Sequence, residues 1–420
     1  MTRVPPRAAA ASPGVMRRMN SALILDVIRG GGPLSRADIA RATGLSKPTV
    51  NEVVELLLDG PYVEEAAADG SSERTRRRRP GPRARLLRFR ADVGHVLGID
   101  VGAAKAVVEV ADLSGRVLAS ERRPVSDKAR AGHAALLREV LAATRAALRA
   151  AGVDSGSLRA AGVGTPGVVA PDSGRITLAP QLAGWEGLAL GGELEREIGC
   201  PVAVDNETNL SLLAEAAGGV ARGLRDVLYV QVGVGIGAAV LIGGELYRGA
   251  HGAAGEIGYL PADEEIDAPE FGSGRFEWAA GGRAYTRLGA RAAATPRGGV
   301  LRELAGGDPE RVTAEHVFAG AAGGDAAATT IVEALAGRLG GGIATVATVL
   351  DPELVVLGGG VANAGPALLE PVRRHVRMHT PIPPRVELSA LGDESVAVGA
   401  VRLALNEADA RLFVFDAVAT

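Results

Sequence analysis

The stretch LSRADIARATGLSKPTVNEVVELLLD, residues 34–59, predicts the fold of the N-terminal part of this chain. A short amphipathic helix carrying Ile39 runs into Gly44. Ser46 then stands at the N-cap position of a second helix, with Pro48 in its first turn. Apolar residues follow at helical spacing on one face of that helix: Val50, Val53, Val54, Leu57 and Leu58. Two helices joined by a short turn with glycine are typical of a helix-turn-helix.

The second helix of a helix-turn-helix enters the major groove of DNA, where its first residues contact base edges. The residues that we predict to make these contacts are Ser46, Lys47, Thr49 and Asn51. The alternative is an ordinary helical hairpin that contacts no nucleic acid. Under the first interpretation, double-stranded DNA is an expected partner.

A strongly basic segment follows this motif. Residues 62–65 predict a short strand, and ADGSSERTRRRRPGPRARLLRFR, residues 68–90, predicts a polar hairpin. Two strands around a loop at this place are typical of the wing of a winged helix, where arginines neutralise phosphates and an arm can enter the minor groove. The arginines predicted to contact DNA are Arg74, Arg76, Arg77, Arg78, Arg79 and Arg83. A solvated linker is the usual alternative for a charge run.

Charge is distributed unevenly along the chain. Residues 1–90 contain 17 Lys and Arg against 9 Asp and Glu, a net charge of +8. The whole chain carries −3, which leaves −11 for residues 91–420. A basic head on an acidic body indicates that one domain faces a polyanion and the other does not. Aromatic residues make up only 3%, which argues against stacking platforms for single-stranded nucleic acid.

Cysteine usage and hydropathy indicate the compartment. The single cysteine, Cys200, excludes an internal disulfide and agrees with a reducing cytosol. Residues 227–246 are apolar but contain several glycines and Gln231, so they predict two strands around a turn rather than a membrane span. No signal-peptide pattern opens the sequence. We therefore expect a cytoplasmic protein with no membrane partner.

The body is predicted to be an α/β fold with a repeated plan. Residues 96–101, 106–111 and 116–120 predict a three-stranded meander, and a helix over 129–151 and a strand over 160–163 follow. The second unit has a strand at 227–232, a glycine turn, a strand at 238–246, helices around 326–350 and a strand at 354–357. Two such units indicate two lobes, with a ligand cleft at the carboxyl ends of the strands.

These patterns give a domain division. We predict a disordered tail at 1–14, a winged helix-turn-helix at 15–90, a first lobe at 91–215, a second lobe at 216–405 and a C-terminal tail at 406–420. In this division the final helices of the second-lobe segment can pack back on the first lobe.

Five segments, in chain order, carry a family resemblance. They are LGIDVGAAK (97–105), GVGTPGVV (162–169), VDNETN (204–209), VGVGIGAAVLIGGELYRGAHGAAGEIGY (232–259) and DPELVVLGGGV (351–361). Over roughly residues 95–405 the chain resembles the ROK family of repressors and sugar kinases, and with its head it resembles a ROK transcriptional regulator. The resemblance implies a two-lobed actin/hexokinase-like (ribonuclease H-like) body, and a homodimer or homotetramer.

The resemblance also shows where kinase chemistry would reside. The first phosphate loop of ROK kinases resembles DIGGTK, whereas residues 100–105 read DVGAAK, so Ala103 replaces a glycine and a threonine hydroxyl is lost. Val234 replaces a threonine of the second loop, and the family's catalytic Asp corresponds to Glu207, whose longer side chain misplaces the carboxylate. Phosphoryl transfer depends on these groups. We therefore predict no ATP cofactor, no catalytic residue and no enzyme; a sugar kinase that also binds DNA is the alternative.

A sugar site is implied by the same resemblance. The residues that match the family's pocket are Gly167, Gln181, Asn206, Glu207, Glu256, Tyr259 and Glu277. A carboxylate such as Glu256 within a Gly/Ala-rich stretch needs a partner if it is buried, so a structural N-cap or a salt bridge is the alternative for it. Because Gln181, Glu207 and Tyr259 differ from the family pattern, the pocket is either remodelled for a different sugar or has stopped binding one.

Many ROK proteins bind zinc through a histidine and a cysteine cluster. Here Tyr259 replaces the histidine and residues 267–276 read DAPEFGSGRF, so no zinc is expected. The sequence thus predicts a transcriptional regulator, a repressor of sugar uptake or metabolism genes that responds to a sugar or sugar phosphate. A constitutive repressor whose body binds no sugar is a further alternative.

Overall fold

The computed structural model describes residues 13–66, 85–102, 105–126, 132–179, 184–262 and 274–412. The elements of the N-terminal head are α1 (Pro13–Gly31), β1 (Leu34–Ser35), α2 (Arg36–Thr43), α3 (Lys47–Leu58), β2 (Val63–Ala66) and β3 (Leu86–Phe89). The three strands form one antiparallel sheet in the order β1–β3–β2. The predicted helix-turn-helix and the strands of its wing are therefore confirmed.

Local sequence explains where the helices of the head begin and end. Ser35 and Asp38 form a capping box at the start of α2, in which the Asp38 N–H donates to the Ser35 hydroxyl at 3.2 Å. Gly44 ends α2 in the left-handed region, with φ of 70°. The Ser46 hydroxyl accepts from the N–H of Thr49 at 3.3 Å, so it caps α3 as predicted.

The body contains two five-stranded sheets with the same topology. The strands of the first are β4 (His95–Val101), β5 (Lys105–Asp112), β6 (Val117–Pro124), β7 (Leu158–Thr165) and β10 (Val202–Asn206), in the order β6–β5–β4–β7–β10. The strands of the second are β11 (Val227–Val232), β12 (Ile236–Ile242), β13 (Glu245–Tyr247), β14 (Leu354–Gly358) and β15 (Arg385–Leu388), in the order β13–β12–β11–β14–β15. In each sheet two parallel strands extend an antiparallel meander. The predicted repeated α/β plan is confirmed.

Helices pack on both sheets, and a small hairpin lies beside the first. The hairpin consists of β8 (Val168–Val169) and β9 (Ile176–Leu178). The body helices are α4 (His133–Ala151), α5 (Leu190–Ile198), α6 (Glu207–Gly218), α7 (Arg275–Ala280), α8 (Gly282–Ala293), α9 (Gly299–Leu304), α10 (Ala314–Ala322), α11 (Ala326–Leu350), α12 (Pro366–His379) and α13 (Ser395–Leu412). No helix within the described ranges combines the length and apolarity that crossing a bilayer requires.

The last helix, α13, returns to the first sheet and packs unusually close to it. A Cβ at Gly162 of β7 would lie 2.1 Å from the Ala400 carbonyl oxygen, and a Cβ at Gly399 would lie 1.9 Å from the Leu210 carbonyl oxygen of α6. Only glycine allows backbones to approach this closely. The helix is therefore held between the first sheet and α6.

The same helix reaches the head. Near its C-terminal end, Leu405 and Ala408 are buried in a cluster against which Tyr62 and Phe89 of the head pack. Asp409 accepts two hydrogen bonds from the guanidinium of Arg29 in α1, at 2.8 and 2.7 Å. These contacts attach the head to the body.

Two predicted tails are wrong at their inner ends. The sequence predicts a C-terminal tail at 406–420, but α13 continues to Leu412, where Ala408 is buried and Asp409 is paired. The sequence predicts an N-terminal tail at 1–14, but α1 begins at Pro13. At the C-terminal end the tertiary contacts of α13 decide the boundary, and the local composition does not report them.

One buried carboxylate of the first sheet has an oxygen that no hydrogen bond from the described residues reaches. The side chain of Glu109, on β5, is 6% exposed, and its Oε2 accepts no hydrogen bond. Burial raises the pKa of Glu109 to about 7, and the nearby Glu394 acts in the same direction. The folded protein therefore binds the Glu109 proton more tightly than the unfolded chain does. This tighter binding stabilises the fold fully below about pH 4.5, and the stabilisation is lost as the pH rises through about 7.

We therefore expect Glu109→Gln to stabilise the protein at pH 8 and to have little effect at pH 5. The expected gain in the free energy of unfolding at pH 8 is about 1 kcal/mol, because the neutral amide removes a buried charge. Thermal melts at both pH values measure this difference. Glu245→Gln, at an exposed position, is the control. An equal effect of Glu109→Gln at both pH values would contradict the interpretation.

Candidate functional site

A deep cleft lies between the two sheets of the body. It is reached from the carboxyl ends of β4, β7 and β10 on one side and of β11 and β14 on the other, which is where open α/β sheets bind ligands. The cavity in this cleft has a volume of about 630 Å³, within the range of small-molecule sites. The repeated topology thus places two sets of strand ends face to face.

The structure brings most of the predicted sugar-binding residues together in this one cavity. Those that line it are Gly167, Asn206, Glu207, Glu256, Tyr259 and Glu277. Gln181 lies outside the described residues. Glu277 also lines the cavity, from the first turn of α7. Their role in sugar binding stays a prediction.

Asn206 and Glu207 stand where β10 meets α6. The Asn206 side chain caps α6 by accepting from the N–H of Thr208 at 2.7 Å, and its amide donates to the carbonyl oxygen of Gly167 at 2.7 Å. Asn206 therefore connects the turn at residues 166–167 to the start of α6. Glu207 accepts a hydrogen bond from the Gln231 amide of β11 at 2.9 Å, and this contact joins the first sheet to the second.

Burial shifts two carboxyl groups in this half of the cleft, those of Glu207 and Glu256, toward their neutral forms. Burial and the neighbouring Asp100 carboxylate raise the pKa of Glu207 to about 7, although Lys105 and Gln231 oppose them. Burial and the neighbouring Glu277 carboxylate raise the pKa of Glu256. Near neutral pH, Glu207 can therefore both donate and accept hydrogen bonds, as a sugar hydroxyl requires.

The other half of the cleft holds the two segments that resemble the phosphate loops of ROK kinases. Lys105 Nζ lies 3.5 Å from the Asp393 carboxylate and also donates to the Asp393 carbonyl oxygen at 3.3 Å. Burial raises the pKa of Asp100 to about 6, even though Lys105 opposes the shift. Val234, 59% exposed, presents an apolar side chain at the second loop. Ala103 lies outside the described residues.

The predicted base-contacting residues cluster at the start of α3. Ser46, Lys47 and Asn51 are exposed and Thr49 is partly buried. The hydroxyls of Ser46 and Thr49 are 2.8 Å apart, so they are engaged with each other in the helix cap. Lys47 and Asn51 are therefore the side chains best placed to contact a partner.

The arginines at the base of the wing form ion pairs across the hairpin. Arg85 contacts Glu65 at 2.8 Å, and Arg88 Nε donates to Glu64 at 2.9 Å. These pairs stabilise β2 against β3. The arginines predicted to contact DNA, Arg74 to Arg83, lie outside the described residues.

The sequence analysis missed two polar contacts, one in the cleft and one beside it. One is the hydrogen bond from Gln231 to Glu207, and the other is an ion pair between Asp205 and Arg248, at 2.7 Å. A sequence signal existed for Gln231, because it is a polar residue within an apolar strand. No signal existed for the ion pair, because its members are distant in sequence and belong to different sheets. Within the described residues, no group of three or more His, Cys, Asp or Glu side chains could hold a metal ion.

Comparison with known proteins identifies the class. The sequence pattern of the ROK family matches residues 96–407, and that of the MarR family matches residues 17–72. The chain therefore belongs to the ROK family, and it carries a MarR-type winged helix in front of the ROK body. The resemblance inferred from the five sequence segments is confirmed.

Individual relatives agree with this class. The xylose repressor of Caldicellulosiruptor bescii is 26% identical over 401 residues, which cover 94% of this chain and 97% of the relative. A ROK family glucokinase from Streptomyces griseus, solved with glucose and AMPPNP, is 29% identical, with a TM-score of 0.65 over 74% of this chain and 100% of that chain. A ROK family transcriptional regulator described as a homologue of the Escherichia coli MLC protein shares the fold, with a TM-score of 0.77 at 23% identity over 95% of this chain and 99% of that chain. The predicted combination of a regulator's head with a ROK body is confirmed.

A test of the cleft's packing uses two neighbouring glycines. A Cβ at Gly235 would lie 2.1 Å from the Glu277 carboxylate, whose Oε2 accepts from the N–H of Ile236 at 3.2 Å. We expect Gly235→Ala to displace the flexible end of Glu277 and to lower the free energy of unfolding by about 1 kcal/mol in chemical denaturation, because the hydrogen bond from Ile236 to Glu277 is lost. Gly233→Ala is the matched control, because nothing lies within 4 Å of its Cβ position. Equal stability of the two variants would show that Glu277 is not held against this loop.

Proposed function

We propose that this protein is a sugar-responsive transcriptional repressor. Its head binds operator DNA, and its ROK cleft binds an uncharged sugar that changes the affinity for that DNA. The observation that carries the proposal is that one helix, α13, lines the cleft at Ser395 and pairs with the DNA-binding head at Asp409. The repressor relative, which the chain matches over nearly its whole length, supports the same function.

The head supplies the DNA-binding part of the proposal. Lys47 and Asn51 extend from the start of α3, the position from which a recognition helix reaches base edges. The arginines of the wing, Arg74 to Arg83, are proposed to contact phosphates or the minor groove. A homodimer or homotetramer would present two heads to a pseudo-palindromic operator, because each head reads one half-site.

The charges of the cleft favour a neutral sugar over a sugar phosphate. In the described part of the lining, the carboxylates are Asp100, Glu207, Glu256, Glu277 and Asp393, and the cations are Lys105 and Arg283. Lys105 is already paired with Asp393. The described lining therefore holds more carboxyl groups than cations to pair with a phosphate dianion, whereas sugar hydroxyls can hydrogen-bond to carboxyl groups in either protonation state. Xylose is the first candidate, because a relative is named for it.

Phosphoryl transfer has less support. A kinase holds the phosphates of ATP with backbone N–H groups, hydroxyls and cations, and it needs a base placed at the sugar hydroxyl. Here Val234 presents methyl groups at one phosphate loop, Lys105 is neutralised by Asp393, and Glu207 is held by Gln231. We propose that the cleft senses its ligand without phosphorylating it.

The route from cleft to head runs along α13. This helix has 18 residues, about 27 Å of length, and close backbone packing holds it against the first sheet. At its start the Ser395 hydroxyl lies 2.9 Å from the Ser211 hydroxyl of α6. A sugar that draws the lobes together would move α6 and α13, and the Arg29–Asp409 pair would transmit that movement to the head. The sugar acts only through its different affinity for the two arrangements.

Binding of a labelled DNA fragment from upstream of the protein's own gene tests the function. We expect sequence-specific binding, and we expect an uncharged sugar to change the affinity at least fivefold while its phosphate does not. Lys47→Ala should weaken binding about tenfold, since a side chain that contacts a base contributes about 1–3 kcal/mol. Arg374→Ala, an exposed change on the body, is the control.

Each alternative gives a different result in this experiment. Sugar-dependent consumption of ATP would favour the kinase. Specific DNA binding without response to any sugar would favour a constitutive repressor. Absence of specific DNA binding would refute the proposal.

The coupling route is tested by Asp409→Asn. The change removes the charge from a partly buried pair, in which the Arg29 side chain is 10% exposed. We expect calorimetry to show unchanged sugar affinity, while the sugar-induced change in DNA affinity falls at least fivefold. Glu407→Gln, which breaks the exposed pair with Arg411 on the same helix, is the control. A full sugar response in Asp409→Asn would exclude this pair from the route.

A further inference from the structure

An ion pair joins the two lobes behind the cleft. Arg248, which follows β13 of the second sheet, donates from Nε to Asp205 Oδ2 at 2.9 Å and from Nη2 to the same oxygen at 2.7 Å. The Asp205 side chain is 6% exposed and the Arg248 side chain 35%. Neither residue lines the cavity. The pair is therefore placed to act on the residues that do.

Asp205 determines the position of the first lobe's sugar-binding groups. Its second oxygen, Oδ1, accepts from the N–H of Asn206 at 2.8 Å and from the Asn209 amide at 2.7 Å. These bonds fix the backbone at the start of α6, from which the side chains of Asn206 and Glu207 reach the cleft. With both oxygens engaged, Asp205 couples this helix start directly to Arg248.

Arg248 begins the segment that carries the second lobe's sugar-binding groups. The N–H of Ala254 donates to the Arg248 carbonyl oxygen at 3.1 Å, which closes a loop immediately before Glu256. Glu256 and Tyr259 follow within a few residues, and both line the cavity. Movement of Arg248 would therefore move the groups that face Glu207 across the cleft.

We propose that Asp205 and Arg248 are positioning residues for sugar binding: their ion pair sets the separation between the Glu207 side and the Glu256 side of the cleft. This inference rests on the proposed function, because it assigns the pair to the same sugar site. Misplacement of a binding group by about an ångström is costly in a preorganised site, so a ligand that never touches the pair still depends on it.

The experiment compares Arg248→Ala, Arg248→Lys and Asp205→Asn in the full-length protein. Calorimetry with the sugar that alters DNA binding measures the affinity. Hydrogen exchange without ligand measures the opening of residues 249–259. Arg374→Ala, which removes an exposed arginine from an ion pair with Glu333 on the body, is the matched control.

We expect Arg248→Ala and Asp205→Asn to weaken sugar binding at least tenfold and to speed exchange in residues 249–259. Arg248→Lys should recover part of the sugar affinity, because it keeps the charge but loses the two-atom contact with Asp205. Rescue by lysine also distinguishes a positioning role from a general loss of folding.

Two results would overturn the inference. One is wild-type sugar affinity in Arg248→Ala, and the other is unchanged exchange of residues 249–259 in that variant. If the wild-type protein binds no sugar, the proposed function is refuted instead, and the exchange measurement still decides whether the pair holds the lobes together.

Discussion

The structure depends on the close approach of α13 to the first sheet and to α6. Glycines at 162 and 399 leave no side chain between the backbones, and a Cβ at either position would overlap a carbonyl oxygen. Because such a closely packed interface cannot be compressed, α13 and the elements it touches move together. The helix that closes the chain is thereby also the element that joins the first lobe, the cleft and the head.

This arrangement explains how one scaffold can serve sensing. The cleft is formed by two sheets of identical topology, and both sides contribute lining residues. Asn206 and Glu207 come from the side of the first sheet, and Glu256 and Glu277 from the side of the second. A ligand that contacts both sides changes the relation between the lobes. Since α13 touches the cleft at one end and the head at the other, that change has a physical path to the DNA-binding helix.

Electrostatics separate the two halves of the cleft. The half that retains the phosphate loops has an apolar Val234 and a lysine paired with Asp393, so little there attracts a phosphate. In the other half, burial raises the pKa of Glu207 to about 7, so its carboxyl group can donate a hydrogen bond near neutral pH, and burial also raises the pKa of Glu256. The family fold is thus retained, while Val234 and Glu207 depart from the pattern of the ROK kinases.

The sequence alone determined the helix-turn-helix, the repeated α/β plan and most of the residues that meet in the cleft. Caps, glycine turns and apolar periodicity are local, and the cleft residues fall within segments that can be matched in chain order. Tertiary structure alone decided the extent of α13, the lone Glu109 carboxylate, and the pairs Arg29–Asp409 and Asp205–Arg248. Each of these depends on residues that are far apart in the chain, and their partners are defined only when the sheets and the head have packed.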